Sequence, residues 1–322
     1  MIAPSILIIL ISFIISTLTT AVLIPILRRL KFGQAILQIG PSWHNKKSGT
    51  PTMGGISFIF SITMTTIIAL ALNLFEFTIR DLSILIFAFA FGAIGFLDDF
   101  IKVVLKQNQG LRAYQKFGLQ LVVSAITICF LYFSGNISPE IIIPFSDFKL
   151  SLGIWYIPLM IFVILATVNA VNLTDGLDGL ATSVTTIAVL AFATLAYIAN
   201  QYGAFAIGII IVASLLGFLI FNTHPAKVFM GDTGSLFLGG IIALFAICLS
   251  NPLIIILVGF IYLIETLSVI MQVIYFKATK GKRIFLMTPI HHHYEKKGWS
   301  EKKIVFTFTM ITIITSALAL IS

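Results

Sequence analysis

The strongest constraint in this chain is a series of uncharged stretches too long for any water-soluble element. Residues 1–27, 48–75, 82–97, 117–139, 150–174, 179–226 and 304–322 contain no Asp, Glu, Lys or Arg. A helix needs ~20 apolar residues to cross the hydrocarbon core of a bilayer. Hydrophobic residues make up 59% of the 322 and charged ones 10%, against roughly 25% charged in an ordinary soluble domain. That composition excludes a water-soluble globular protein and a disordered chain. The net charge of +8 is then expected to mark the cytoplasmic side of a membrane, with no nucleic acid as partner. Cys129 and Cys248 both sit in apolar runs, which supports neither a disulfide framework nor a zinc site.

The run 179–226 is long enough for two crossings and splits at Asn200-Gln201-Tyr202-Gly203, a polar break with a turn residue. The stretch 233–276 carries one charge, Glu265, and splits at Ser250-Asn251-Pro252. Ten spans result, at about 2–27, 53–74, 82–100, 117–134, 154–173, 180–199, 204–221, 235–250, 253–276 and 304–321. The first lacks the charged start and small-residue exit of a cleaved signal peptide and is read as a true helix. The expected fold class is an all-α polytopic membrane protein, with residues 1–322 forming one integral-membrane domain. Arg28, Arg29 and Lys31 follow the first span, so the N-terminus is expected outside, and ten crossings return the C-terminus outside. The inner loops are then 28–52, 98–116, 172–179, 222–234 and 277–303. They hold eighteen of the twenty Lys and Arg residues, leaving only Arg80 and Lys149 elsewhere, which is the bias that orients membrane proteins. The longest outer loop, 135–153, reads as a small hairpin.

Seven of the twelve acidic residues fall in inner loops: Asp98, Asp99, Asp175, Asp178, Asp232, Glu295 and Glu301. The five Asp lie at span ends, where an ionisable group is costly and usually has a use. Asp98-Asp99 ends the third span, and Lys102 lies one helical turn beyond Asp98. The pair suits either an interfacial Asp–Lys contact or a divalent cation and proton transfer. Asn172-Leu173-Thr174-Asp175-Gly176-Leu177-Asp178-Gly179 makes a polar turn whose glycines allow close approach of a ligand. Asp232 precedes span eight, as an N-cap, as part of a phosphate site at a helix start, or as both. Gly49-Thr50-Pro51-Thr52-Met53-Gly54-Gly55 opens span two behind Lys46 and Lys47, with glycines suited to helix packing. His291, His292 and His293 are consecutive and cannot all face one metal from a regular helix. Set among Lys277, Lys280, Lys282, Arg283, Lys296 and Lys297, they suit an anionic, phosphate-bearing ligand or a solvated basic loop near anionic lipid. Glu265 lies within span nine and must find a partner or face the interior.

Carboxylates for a divalent metal, cations and helix N-termini on one face are the parts needed to hold a diphosphate. No Gly-x-x-x-x-Gly-Lys-Ser/Thr loop is present, which disfavours an ATP-driven pump. A transporter would place its polar groups near the midplane, where only Glu265 lies. Chemistry at a membrane edge implies a lipid substrate.

Five stretches carry a family resemblance: Gly49 to Gly55, Gly95-Phe96-Leu97-Asp98-Asp99, Asn169 to Leu180, Phe229-Met230-Gly231-Asp232 and Pro289 to Glu295. In this order they resemble the polyprenyl-phosphate N-acetylhexosamine-1-phosphate transferases, over nearly the whole chain. The triple His and Thr-Pro-Thr-Met-Gly-Gly look like the muramoyl-pentapeptide branch rather than the relatives that use UDP-GlcNAc. The resemblance implies transfer of phospho-MurNAc-pentapeptide from UDP-MurNAc-pentapeptide to undecaprenyl phosphate, giving lipid I and UMP. It further implies a Mg²⁺ cofactor, the bacterial cytoplasmic membrane and a homodimer. By motif position, Asp232 is the metal ligand, with Asp99 and Asp98 close by, and Asp98 resembles the base that deprotonates the lipid phosphate. Asn172, Asp175, Asp178, Asn222 and Phe229 match the nucleotide region. Lys47 and Thr52 match further substrate contacts, and His291, His292 and His293 match residues near the sugar-diphosphate, His291 among the catalytic ones. Direct attack by the lipid phosphate and a route through an aspartyl-phosphate on Asp98 or Asp99 both fit this residue set. One departure stands in the first inner loop. After Gly33-Gln34, Leu37 and Ile39 replace a basic and an acidic residue before Gly40-Pro41.

Overall fold

A computed structural model of the chain describes residues 2–30, 49–105, 110–146 and 148–322. The helices are α1 (Ile2–Arg29), α2 (Gly55–Ala71), α3 (Ile79–Val103), α4 (Ala113–Phe133), α5 (Tyr156–Thr174), α6 (Leu180–Ile198), α7 (Tyr202–Asn222), α8 (Gly231–Cys248), α9 (Ile255–Val258), α10 (Phe260–Ala278), α11 (Ile290–Lys296) and α12 (Glu301–Leu320). Among the described residues nine segments are long and apolar enough to cross a membrane, and α2 is a shorter apolar helix of 17 residues. Each of the ten expected spans therefore has its helix, and the protein is an all-α polytopic membrane protein. The expected outer hairpin is there too: β1 (Glu140–Ile142) pairs antiparallel with β2 (Lys149–Ser151), Ile141 opposite Leu150.

Among the boundaries that differ from the sequence reading, three stand out. The third helix runs on to Val103, because the bilayer, not the charge at Asp98, limits only the apolar part. The eighth begins at Gly231, four residues early, because a carboxylate from another helix caps it. The ninth span is broken at Gly259, with α9 before it and α10 after it. A Cβ at Gly259 would lie 2.7 Å from the Ile255 carbonyl oxygen, so only glycine fits that break.

Helix α1 is inside-out relative to a helix of a soluble protein over much of its length. On α1 the large side chains Ile6, Leu10, Ile14, Leu18 and Val22 are exposed, while Ser12, Ser16 and Thr20 are buried. Those hydroxyls tie α1 to α7 and α2. Ser12 Oγ lies 2.6 Å from Ser214 Oγ, Ser16 Oγ donates to the Ser214 carbonyl at 2.6 Å, and Thr20 Oγ1 donates to Ser57 Oγ at 2.8 Å. Small residues and hydroxyls serve helix contacts in lipid, where burial of apolar surface supplies no force.

At the centre is α8, buried throughout from Thr233 to Cys248. It runs antiparallel to α3 on one side and to α5 on the other. Glycines set both distances. A Cβ on Gly95 of α3 would lie 2.1 Å from the Asp232 carbonyl oxygen, one on Gly240 2.9 Å from Phe91, and one on Gly239 2.6 Å from Val168 Cα of α5. The backbones thus approach as closely as the chain permits, and the ends of α3 and α5 meet the start of α8.

Candidate active site

The start of α8 is where the sequence-predicted acidic residues gather. Asp98 and Asp99 are both buried on the last turns of α3. Asp99 turns toward α8 and caps it. Its Oδ1 accepts the Asp232 N–H at 3.2 Å, and its Oδ2 accepts the Thr233 N–H at 2.9 Å and the Thr233 hydroxyl at 2.6 Å. Free N–H groups at a helix start favour an anionic partner. The residue expected as an N-cap, Asp232, instead sits in the first turn of α8 and points its own carboxylate away from the cap.

Around Asp232 two lysines and an amide converge. Lys102 Nζ lies 2.9 Å from Asp232 Oδ2 and also pairs with Asp98, one turn back on α3. Lys116 Nζ, from the first turn of α4, lies 2.9 Å from the same oxygen. Asn172 of α5 donates its amide to Asp232 Oδ1 at 2.9 Å and to Ser235 Oγ at 2.8 Å. The second carboxylate oxygen of Asp98, Oδ1, accepts the Leu111 N–H at 2.8 Å. One carboxylate oxygen from each of Asp98, Asp99 and Asp232 lies within 4.8 Å of the other two. Three hard oxygen donors at that spacing suit a hard divalent cation such as Mg²⁺. The two ammonium groups suit the oxygens of a phosphate.

The Thr-Pro-Thr-Met-Gly-Gly stretch runs beside this cluster. Phe229 donates to the Pro51 carbonyl at 2.8 Å, and Gly54 and Gly55 donate to the Phe229 and Met230 carbonyls at 2.8 and 2.9 Å. Thr52 is buried. Gly231 has φ +73, and a Cβ there would lie 2.5 Å from Asp99 Oδ2 and 2.9 Å from Thr52 Oγ1. Thr52 thus belongs to the cluster's wall, and Phe229 is half-buried at its edge. Lys47 and the departure at 33–41 lie outside the described residues.

Two residues matched to the nucleotide region, Asn222 and Asp178, are also bonded into the scaffold. Asn222 accepts from the Thr182 hydroxyl at 2.6 Å and donates to the Val228 carbonyl at 2.9 Å, joining α6, α7 and the approach to α8. Asp178 Oδ2 accepts the Ala226 N–H at 2.9 Å and lies 3.1 Å from His224 Nδ1. The Asp178 N–H donates to Glu301 Oε2 at 3.3 Å, which draws in the start of α12. Asp175 caps the end of α5, half-buried.

The three histidines take three directions, as consecutive residues on a short helix must. His291 is buried, with Nδ1 3.0 Å from Glu265 Oε1. His292 Nδ1 lies 2.6 Å from Glu295 Oε2. His293 Nδ1 accepts the Leu286 N–H at 3.1 Å. Partial burial and the nearby Lys297 charge hold the His293 pKa below the usual histidine range, in keeping with an acceptor nitrogen. Gln272 of α10 accepts the N–H groups of Ile284 and Phe285 at 3.1 and 2.9 Å, shaping the loop that carries α11.

Reading the sequence had not found Lys116, Ser235, Gln272, His224 or Glu301 as members of these constellations. Lys116 carried one faint signal, as the last charge before an apolar span. The others carried none, because their partners on other elements are 46 or more residues away, except for Gln272, which serves backbone groups of any sequence.

The chain matches two family descriptions. Residues 82–250 match glycosyl transferase family 4, and residues 47–59 match the phospho-N-acetylmuramoyl-pentapeptide-transferase signature 1. Relatives named phospho-N-acetylmuramoyl-pentapeptide-transferase align along almost the whole chain. The one from Clostridium novyi is 49% identical over 98% of this chain and 95% of its own. Those from Halalkalibacterium halodurans and Bacillus subtilis are each 47% identical, over 96% and 97% of this chain and 94% and 95% of theirs. Identity of this extent along almost the whole chain leaves one conclusion: the chain belongs to the phospho-N-acetylmuramoyl-pentapeptide-transferase family.

Proposed function

We propose that this protein transfers phospho-MurNAc-pentapeptide from UDP-MurNAc-pentapeptide to undecaprenyl phosphate, forming lipid I and releasing UMP. This is the first membrane step of peptidoglycan synthesis. The observation that carries the reading is the convergence of Lys102, Lys116 and Asn172 on Asp232, with Asp98 and Asp99 alongside. Such an arrangement neutralises and positions phosphate groups, which is most of what a phosphoryl-transfer site must do. The match at residues 47–59 favours the muramoyl-pentapeptide substrate over UDP-GlcNAc.

In this reading Asp232 and Asp99, with Asp98 near, hold Mg²⁺, which would offset diphosphate charge and polarise the reacting phosphoryl group. Lys102 and Lys116 receive phosphate oxygens, exchanging their present contacts with Asp232 for the ligand. Asp98 takes the proton from the lipid phosphate, whose oxygen attacks the β-phosphorus of the UDP-sugar as UMP leaves. Asn172, Asp175, Asp178, Asn222 and Phe229 border the nucleotide, and Lys47 and Thr52 make further substrate contacts. His291, His292 and His293 lie toward the sugar-diphosphate. The one-sided basic residues support a site on the cytoplasmic side of the bacterial cytoplasmic membrane, with both termini outside. The chain works as one integral-membrane domain, and family resemblance supports a homodimer.

The test is UMP release by purified protein given Mg²⁺, undecaprenyl phosphate and UDP-MurNAc-pentapeptide, with UDP-GlcNAc in a parallel reaction. Release only with the muramoyl substrate supports the proposal. Release only with UDP-GlcNAc, or none from folded protein, rejects it.

A further inference from the structure

We infer that Glu265 is a positioning residue for His291, holding the imidazole by Nδ1 so that Nε2 faces the α5–α6 turn as a bare acceptor. The inference rests on the transferase reading only for its link to turnover. Glu265 is fully buried on α10, inside a membrane helix, where a carboxylate needs a partner. His291 supplies two contacts, Nδ1 at 3.0 Å to Oε1 and the backbone N–H at 3.5 Å to Oε2. One carboxylate thereby fixes both the ring and the first turn of α11. A carboxylate accepts but does not donate, so Nδ1 carries a proton, and a ring with that one proton keeps its lone pair on Nε2.

The far side of the ring is as closely fitted. His291 Nε2 is buried and has no hydrogen-bond partner among the described residues. An unsatisfied buried acceptor costs stability, and its retention calls for a use. It abuts Gly176, where a Cβ would lie 2.2 Å from Nε2. Gly176 does not have a left-handed backbone, so space for the imidazole, not conformational freedom, requires glycine here. Four residues before it, Asn172 bonds Asp232. The acceptor is therefore built against the turn that also reaches the carboxylate cluster.

Two measurements on the full chain in detergent test this. The first is ¹⁵N NMR of labelled histidine, with the His291 signal identified by its loss in His291→Ala. Nδ1-protonated, Nε2-bare nitrogen shifts are expected, moving toward the ordinary Nε2-protonated form in Glu265→Ala. An Nε2-protonated signal in the unaltered protein overturns the proposal, and it does so whether or not the protein releases UMP. The second is a double-mutant cycle on UMP release. Glu265→Gln keeps the volume and should lower kcat about tenfold or more with little change in KM, yet add nothing in the His291→Ala background. A further loss in that background means that Glu265 acts by another route. Absence of UMP release from the unaltered protein rejects the transferase reading and leaves the NMR result to decide the role of Glu265.

Discussion

Two seams in this bundle look alike in composition and work differently. Along α1 and α7, Gly217 lets the helices close, and Ser12, Ser16 and Ser214 bond to one another and to backbone carbonyls. Along α3 and α8, Gly92, Gly95 and Gly240 let the helices close, and the polar groups at the end of the seam are Asp98, Asp99 and Asp232. A hydroxyl both donates and accepts, so a ladder of hydroxyls completes itself. A carboxylate only accepts, so three of them must draw in lysines, an amide and helix N–H groups from elsewhere. The first seam is closed chemistry and serves cohesion. The second is open chemistry and can exchange its partners for a ligand.

That contrast can be broken or sharpened by substitution. Asp232→Asn removes the charge on which Lys102 and Lys116 converge. UMP release should be lost and metal dependence weakened, while the unfolding midpoint stays close to that of the unaltered protein. Near-normal turnover would remove Asp232 from the centre of the scheme. Gly95→Ala should come next. Its Cβ, placed 2.1 Å from the Asp232 carbonyl, forces α3 from α8 at a cost of about 1–3 kcal/mol, with activity falling further than stability. Lys116→Met keeps the stem but not the charge. By analogy with the loss of one positioned donor, kcat should fall about a hundredfold, with the seam intact by thermal melting. Asn222→Ala strands the Val228 carbonyl and the Thr182 hydroxyl. It should lower stability by about 2 kcal/mol and raise the KM for the nucleotide in the protein that stays folded. An unchanged KM would leave Asn222 a purely structural role. Ser214→Ala should be mildest, at about 0.6 kcal/mol, the typical worth of a hydrogen bond between membrane helices, with turnover unaffected.

The same contrast explains what was legible beforehand. Length and charge alone located the spans, because the bilayer imposes one requirement on every crossing. The breaks at 200–203 and 250–252 and the hairpin were legible from turn residues, and the structure has them. Asp98, Asp99 and Asp232 stood out because a carboxylate at a membrane edge is costly. Hydropathy did not distinguish α1, which faces outward with its large side chains, from α8, which is buried, since each carries charge only at its one end and is apolar along the rest. The origin of the α8 cap in α3, the pairing of Glu265 with His291 and the clamp from Asp178 to Glu301 were also out of reach. Each joins residues dozens of positions apart or more, and no periodicity records which carboxylate meets which donor.

The cap has an outcome of its own. Asp99 holds the amide hydrogens of Asp232 and Thr233 from a different helix. Those two hydrogens are therefore shielded only while α3 and α8 stay in register. Their rate of exchange with heavy water becomes a clock for how often the catalytic end of the bundle comes apart, readable at two peptide bonds without any substrate present.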